Sequence, residues 1–213
     1  MLKFENVSFG FGTGKQPLLN NINFGLAAGE FGVLLGENGA GKSTLLRLCN
    51  GLLKPQSGTI TVCGNSTSAE KTSLIAKSAG FLFQNPDRQL CQKTVREELE
   101  FGLRLHGKTD ELSSECDEIL EEFGLNPDDD PFSLSSGMRQ YAAIASVLVC
   151  RPSLLLLDEP TSWLDATQTK TFLSVVKKRQ QSGTAVLMIT HDIKLANRAA
   201  TRTFTLQQGQ LSA

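Results

Sequence analysis

A glycine-rich stretch in the first quarter of the chain has the residue types and the spacing needed to bind phosphate. It consists of Gly36, Glu37, Asn38, Gly39, Ala40, Gly41, Lys42, Ser43 and Thr44. Glycine has no Cβ, so the loop can turn its backbone N–H groups towards phosphate oxygens. Lys42 supplies a positive charge for the β- and γ-phosphates, and the Ser43 hydroxyl can ligate Mg²⁺. The stretch matches the phosphate-binding P-loop pattern G-x-x-x-x-G-K-[ST].

The segments on either side of this loop favour the same interpretation. Residues 31–35 are an apolar run that predicts a buried parallel strand, and residues 44–50 have helical apolar spacing. A helix start adds free N–H groups and the positive end of the helix dipole. A flexible turn with an incidental lysine is therefore the weaker interpretation.

Two carboxylates follow a second predicted strand. Residues 154–157 are four leucines, which predict a strand buried on both faces, and Asp158 and Glu159 come directly after them. Open α/β sheets bind ligands at the carboxyl ends of their strands. Asp158 is suited to Mg²⁺, either as a direct ligand or by holding another ligand in place. Glu159 is placed to polarise a water for attack on a γ-phosphate.

Two more polar residues are predicted at the same edge of the sheet. Gln84 follows the apolar run 79–83, and His191 follows the apolar run 185–190. Gln84 can reach the metal of a nucleotide or the attacking water, although loop glutamines are usually only solvated. His191 can contact the γ-phosphate, although a lone histidine is usually structural.

Two other features allow two interpretations each. Phe11 lies in a glycine-rich break after a predicted strand at residues 2–9, where it can stack on a purine base or close the sheet edge as a hydrophobic plug. Ser135 and Ser136 precede a long Ala-rich helix. Their hydroxyls are good N-caps, and together with the free N–H groups they also make a second phosphate site.

The stretch at residues 85–149 is predicted to be a helical insertion, because it shows no strand alternation. Thr94 is the predicted cap of one amphipathic helix, and Ser113 or Ser114 is the predicted cap of another at residues 116–123. The three aspartates at residues 128–130 indicate a solvated turn and not a metal site, because adjacent carboxylates repel one another. Further strands are predicted at residues 22–24 and 59–62, and a hairpin at residues 202–210.

Composition limits the class of protein. The chain has 213 residues, 40% of them hydrophobic and 20% charged, with a net charge of −1. This length suits one large domain, and the low charge argues against a nucleic-acid surface over the whole chain. The first residues do not resemble a signal peptide, and no apolar run approaches the length needed to span a bilayer. We therefore expect any membrane role to come through a partner. The five separated cysteines predict buried reduced thiols in a cytosolic protein.

The order of these motifs resembles that of the ATP-binding-cassette (ABC) ATPases over nearly the whole chain. Residues 36–43 match the Walker A motif of that family and residues 154–158 its Walker B motif. Gln84, Glu159 and His191 match its Q-loop, catalytic glutamate and switch histidine. The signature motif is matched by Leu134, Ser135, Ser136, Gly137 and Met138, and the D-loop by Ser162, Trp163, Leu164 and Asp165. Phe11 falls at the position of the family's A-loop aromatic, which implies base stacking.

The resemblance implies an α/β fold. This is a P-loop NTPase (RecA-like) core with a mixed sheet, an N-terminal antiparallel β-subdomain and a helical ABC subdomain at about residues 86–149. Residues 1–213 would then form a single nucleotide-binding domain.

The resemblance also implies a chemistry and an assembly. ATP would be hydrolysed with Mg²⁺ as cofactor, held by Ser43, Gln84 and Asp158, and Glu159, His191 and Gln84 would be catalytic. Two chains would bind head to tail, so that each signature motif and Asp165 contact the nucleotide of the other chain. Closure on ATP would couple hydrolysis to motion.

One segment points to a subgroup of the family. Residues 83–89, followed by residues 94–102, resemble the ATPases of energy-coupling-factor (ECF) importers of vitamins or of transition-metal ions such as cobalt and nickel. This implies a transmembrane coupling subunit that docks beside the Q-loop, a substrate-binding membrane subunit, and a peripheral location at the cytoplasmic face of the membrane. The alternatives are another class of ABC transporter and a soluble ABC ATPase that acts on ribosomes or DNA. A nucleotide-binding regulator without turnover is disfavoured, because Asp158 and Glu159 are both present.

The signature motif departs from the usual L-S-G-G-Q at two positions. Ser136 adds a Cβ where the backbone should approach the γ-phosphate, and Met138 removes an amide donor. Since the signature serves the site of the partner, we expect an asymmetric heterodimer in which the Walker site of this chain is competent and the opposite site is weaker. A homodimer is the alternative. The sequence stops at Ala213, so we expect no dimerisation through the C-terminal extension that many such importer ATPases carry.

Overall fold

The computed structural model describes residues 1–12, 16–108 and 112–212. The first part of the chain contains β1 (Leu2–Phe9), β2 (Leu19–Leu26), β3 (Phe31–Leu35), α1 (Lys42–Cys49), β4 (Ser57–Val62), β5 (Asn65–Ser66), α2 (Thr72–Ala76) and β6 (Ala79–Leu82). The second part contains α3 (Val95–Leu105), α4 (Leu112–Phe123), α5 (Ser136–Leu148), β7 (Leu154–Asp158), α6 (Ala166–Gln181), β8 (Ala185–Ile189), α7 (Ile193–Ala199), β9 (Arg202–Gln207) and β10 (Gln210–Ser212).

The strands form two sheets. The larger sheet has the order β10-β9-β3-β8-β7-β6, and its pairs are parallel except that β10 runs antiparallel to β9. The smaller sheet has the order β2-β1-β4-β5 and is antiparallel throughout. The mixed sheet and the N-terminal antiparallel sheet expected from the sequence are therefore both present. The predicted C-terminal hairpin is confirmed as β9 and β10.

The larger sheet is buried on both faces. On β7, Leu155 and Leu157 belong to a core cluster that includes side chains of α3 to α7. Leu154 and Leu156 belong to a second cluster, which includes α1 and the antiparallel sheet. Because alternate residues enter different cores, the strand consists of consecutive apolar residues, as in other parallel sheets.

In the described part of the chain, three α-helices and two short 3-10 helices lie between β6 and β7, within the predicted helical stretch. The predicted cap of α3 is confirmed, since Thr94 Oγ1 accepts a hydrogen bond from Glu97 N at 3.2 Å. The predicted start of α4 was wrong, because the helix begins at Leu112 and not after Ser113 or Ser114. Ser113 and Ser114 lie within the first turn of the helix, where serine is tolerated, so the two serines did not mark the start of the helix.

Other boundaries also differ from the expectations. β2 covers Leu19–Leu26, longer than the predicted residues 22–24, because it pairs with β1 along most of its length. The sequence analysis did not predict α2, α6 or α7. In α6 the buried side chains are confined to the middle of a 16-residue helix, so the apolar pattern is short. No helix in the described part of the chain has the length and hydrophobicity to cross a bilayer.

The cysteines are all free thiols. Burial raises the pKa of Cys116 and of Cys150 to about 11, so neither thiol is reactive near neutral pH. Cys49 is buried as well. The expectation of burial was wrong for Cys91, which is exposed, and for Cys63, which is only partly buried, because residue type alone carries no information on position.

Gly80 allows α5 and the chain after it to approach β6 closely. An added Cβ would lie 2.5 Å from Val147 Cγ1 and 2.8 Å from Pro152 Cγ. Gly80→Ala should therefore destabilise the fold by roughly 1–3 kcal/mol through overpacking, measured by urea unfolding with circular dichroism. Gly10→Ala is the matched control, since its nearest described atom is Pro17 Cα at 3.3 Å, and it should cost less. Equal stability of the Gly80 variant and the parent would contradict the close approach.

Candidate active site

The glycine-rich loop joins the end of β3 to the start of α1, and its backbone requires glycine at particular positions. Gly36 has φ +147°, and a Cβ there would lie 2.3 Å from Leu206 O on β9. Gly41 directly precedes α1 and has φ +102°. Residues with a Cβ rarely adopt these backbone conformations. The two glycines therefore allow the turn that exposes the N–H groups of the loop.

Lys42 is the first residue of α1 and is nearly buried. Its Nζ donates hydrogen bonds to Gly36 O at 2.7 Å and to Glu37 O at 2.9 Å. Both acceptors are neutral carbonyls of the loop, and no carboxylate in the described part of the chain forms an ion pair with Lys42. The loop therefore holds a positive charge that remains available to an anion.

Ser43 and Asp158 bring two oxygen groups together at the mouth of the loop. Ser43 Oγ donates to Asp158 Oδ1 at 3.2 Å. Burial raises the pKa of Asp158, while the hydrogen bond from Ser43 and the charges of Arg47 and Lys42 act in the opposite direction. The hydroxyl, the carboxylate and the nearby amide of Gln84 are hard oxygen donors of the kind that Mg²⁺ prefers. The residues therefore fit the proposed cofactor.

Glu159 and His191 form a pair beside this group. His191 Nδ1 lies 3.0 Å from Glu159 Oε2. The Glu159 side chain is only 13% exposed, whereas that of His191 is 78% exposed. Glu159 has φ +49°, a left-handed conformation that is strained for a residue with a side chain and is often found at functional sites. Its backbone N–H is held by Ile189 O at 3.1 Å.

One cleft of about 220 Å³ collects most of these groups. Its lining residues are Leu18, Asn38, Gly39, Gly41, Lys42, Ser43, Thr44, Gln84, Asp158, Glu159 and Ile189. Gly36, Glu37 and Ala40 complete the loop behind the cleft, and His191 adjoins it through Glu159. The sequence analysis missed Leu18, because a single leucine in a loop gives no signal.

Phe11 lies outside the lining of this cleft in the described part of the chain. Its ring is exposed and meets Phe9 edge to face, with the ring centroids 5.0 Å apart. An exposed aromatic ring leaves a face free for stacking, so base stacking remains a prediction.

The signature and D-loop residues form a second group. Ser135 Oγ accepts a hydrogen bond from Met138 N at 3.4 Å, which confirms the predicted N-cap of α5. Asp165 caps α6 in a reciprocal pair with Gln168, and Gln168 Nε2 lies 3.8 Å from Met138 Sδ. The signature residues of this group are Leu134, Ser135, Ser136, Gly137 and Met138, none of which lines the described part of the cleft.

Contacts between distant residues connect the Q-loop to this second group. Trp163 Nε1 donates to Gln84 O at 3.2 Å. Arg139, the residue after the signature, binds Asp87 Oδ1 at 3.0 Å and Leu134 O at 3.2 Å. The contacts of Trp163 with Gln84 and of Arg139 with Asp87 could not be predicted, because each joins segments far apart in the chain.

The comparisons with known proteins agree with this geometry. The sequence profile of the family described as ABC transporter matches residues 19–162. The energy-coupling factor transporter ATP-binding protein EcfA1 of Halalkalibacterium halodurans is 36% identical over 99% of this chain and 77% of its own length. A curated relative from Caldanaerobacter subterraneus subsp. tengcongensis is also 36% identical, but the chain spans only 37% of that protein.

Solved structures show the same relationship. CbiO1 from Clostridium perfringens, part of the ABC transporter complex CbiONQ, superimposes with a TM-score of 0.87 at 32% identity, covering all of this chain and 86% of that one. A dimeric post-hydrolysis structure of the ATP-binding cassette MJ0796, bound to ADP and Pi, gives a TM-score of 0.89 at 29% identity, covering all of this chain and 97% of that one. Profile, relatives and fold together show that the chain belongs to the ABC transporter family and carries its ATPase domain.

Proposed function

We propose that this chain binds and hydrolyses ATP to energise a membrane importer of the ECF type. The observation that carries this proposal is the single cleft in which the P-loop lysine, a hydroxyl and carboxylate pair and a second carboxylate converge. Similarity to EcfA1 and CbiO1 supports the importer class. Residues 1–213 then act as one nucleotide-binding domain, with a helical subdomain at about residues 86–149.

In this proposal each group has a distinct task. Lys42 and the loop N–H groups bind the β- and γ-phosphates, and Phe11 stacks on the base. Ser43, Gln84 and Asp158 hold Mg²⁺, which neutralises charge on the phosphate oxygens when bound. Glu159 accepts a proton from the attacking water.

His191 has a supporting role in this scheme. Its imidazole orients the Glu159 carboxylate, which it faces at 3.0 Å, and it contacts the γ-phosphate. The pair therefore places a proton acceptor and a phosphate contact side by side.

We further propose a head-to-tail dimer, with a heterodimer favoured over a homodimer. The dimeric MJ0796 structure supports such an assembly. Ser135 lies at the start of α5 and Asp165 at the start of α6. They place hydrogen-bond donors and a carboxylate outside the lining of this chain's cleft. Because Ser136 and Met138 replace a glycine and an amide of the family pattern, the site they complete in the partner is the weaker one.

An apolar groove supports a transmembrane partner. It has a volume of about 280 Å³, lies against the start of the Q-loop, and is lined by Leu52, Phe81, Phe83, Val147 and ten other residues. Leu52 is 50% exposed and places apolar surface at the edge of this groove. We propose that a coupling helix of the transmembrane subunit covers this groove. The chain would then lie at the cytoplasmic face of the membrane, with a separate membrane subunit that selects a vitamin or a transition-metal ion.

Lys42→Ala should weaken ATP binding by about 10-fold or more, because a charge-assisted contact to phosphate is lost. Equilibrium titration with a fluorescent ATP analogue measures this. Lys77→Ala, which removes an exposed lysine near β6, is the matched control and should bind as the parent does. Unchanged affinity of the Lys42 variant would refute the assignment of the loop.

Glu159→Gln should retain ATP binding and lower turnover of the assembled complex by about 100-fold or more, the usual scale for loss of a general base. Steady-state phosphate release measures the turnover, and Glu121→Gln on the exposed face of α4 is the control. The matching change in the partner ATPase should cost less, because its site is the weaker one. A larger loss from the partner's change would refute the proposed asymmetry.

Leu52→Asp should abolish co-purification of this chain with membrane subunits of an ECF importer, because it places a charge in the apolar groove. ATP affinity should stay the same, since Leu52 lies outside the cleft. Ser73→Asp on the exposed face of α2 is the control for added charge. Retained membrane association, or co-purification of the parent chain with ribosomes or DNA, would contradict the proposed importer function.

A further inference from the structure

Gln140 is a buried polar residue on α5, two positions after the signature motif. Its side chain is 0% exposed, and its Nε2 donates a hydrogen bond to Pro160 O at 3.0 Å. Its Oε1 is buried and has no hydrogen-bond partner among the described residues. An unpartnered buried amide oxygen is destabilising, and methionine would fill the same space without one. Packing therefore does not explain the amide, and the hydrogen bond to Pro160 does.

The acceptor of this hydrogen bond belongs to the turn that carries Glu159. Pro160 follows Glu159 directly, and Glu159 has the left-handed conformation described above. Among the described residues, two hydrogen bonds to distant segments restrain this turn, from Glu159 N to Ile189 O on β8 and from Gln140 Nε2 to Pro160 O. A strained backbone keeps its conformation only where its surroundings hold it, so the direction of the Glu159 side chain depends on both contacts.

The same helix also contacts the far end of this segment. Tyr141 Oη donates to Gln168 O at 2.7 Å, and Met138 Sδ lies 3.8 Å from Gln168 Nε2. The first two turns of α5 therefore contact the segment at residues 159–168 at both of its ends. A displacement of the signature helix cannot leave this segment unchanged.

We propose that Gln140 is a positioning residue for Glu159. It couples the start of α5 to the backbone that carries the carboxylate, so that the position of the signature motif sets the position of Glu159. The inference rests on the proposed function, in which Glu159 is the general base and the signature contacts the nucleotide of the partner. Gln140 then links the two ATP sites of the dimer through one side chain.

A double-mutant cycle in the assembled complex tests this proposal. Gln140→Met should lower kcat about 10-fold, because a small displacement of a catalytic group has a large effect on rate, while the KM for ATP changes less than about 2-fold. In the Glu159→Gln background, Gln140→Met should lower kcat by less than about 2-fold, because the group it positions is already absent. Hydrolysis of radiolabelled ATP provides the sensitivity for the slow variants.

Two controls separate positioning from folding. Leu148→Met changes a buried side chain of the same helix while nearly conserving its volume, and it should leave kcat and KM as in the parent. Thermal unfolding followed by circular dichroism establishes that each variant folds. If Gln140→Met does not fold, Gln140→Asn replaces it, since asparagine keeps the amide but is one methylene too short to reach Pro160 O, and the same kcat loss is expected.

The outcomes distinguish the inference from the proposed function. An unchanged kcat, or the same loss in both backgrounds, would overturn the role of Gln140 while leaving Glu159 as the base. If Glu159→Gln itself left turnover unchanged, the proposed function would fall, and the inference with it. A loss that appears only when Glu159 is present supports the proposal.

Discussion

The candidate active site depends on the parallel pairing of three strands. Ile189, at the end of β8, lies in register with Leu34 on β3 and with Asp158 on β7. Since parallel strands finish at the same edge of a sheet, the P-loop after β3 and the carboxylates after β7 emerge on either side of one residue. The backbone of Ile189 also accepts the hydrogen bond from Glu159 N. A change of one residue in the register of β7 against β8 would move both carboxylates by about 3.3 Å along the sheet relative to the P-loop.

The electrostatics of the cleft suit a nucleotide with a divalent cation better than either ion alone. Lys42 has a positive charge without an ion-pair partner among the described residues, while burial disfavours the carboxylate form of Asp158. A triphosphate near Lys42 balances the first charge, and a cation beside Ser43 and Asp158 favours ionised Asp158. Binding of the triphosphate together with the cation therefore balances the charge of Lys42 and stabilises the ionised carboxylate of Asp158 at the same edge of the sheet.

The parts of this site that follow from local sequence were predictable. The P-loop, the leucine strand before Asp158 and the serine cap of α5 each depend on a few consecutive residues with a strong preference. The contacts of Trp163 with Gln84 O and of Gln140 with Pro160 O were not predictable, because each joins residues brought together only by the sheet order. For the same reason Leu18 was missed, since its position in the cleft comes from the antiparallel sheet.

Boundaries and exposure also depend on tertiary context. α4 begins at Leu112, before the serines at residues 113 and 114 that were predicted to cap it, so a cap residue alone does not fix a helix boundary. Cys91 is exposed although cysteine is usually buried, so residue type alone did not predict its position. Local pattern identifies which residues can do chemistry, whereas the neighbours of each residue are decided by packing.

Besides the shared apolar core, the described part of the helical segment makes ion pairs and buried hydrogen bonds to the rest of the molecule, and these two kinds of polar contact respond differently to movement. Ion pairs connect α4 to α6, for example Glu122 with Lys178 at 2.6 Å and with Arg179 at 3.0 Å. Ion pairs that involve an exposed group such as Lys178 contribute little to stability, and long side chains can keep them through small displacements. The hydrogen bond from Gln140 to Pro160 O has no such freedom, because the amide is buried and its acceptor is a backbone carbonyl. A movement of the helical segment would therefore leave the ion pairs of α4 in place, whereas α5 would transmit it to the turn that carries Glu159.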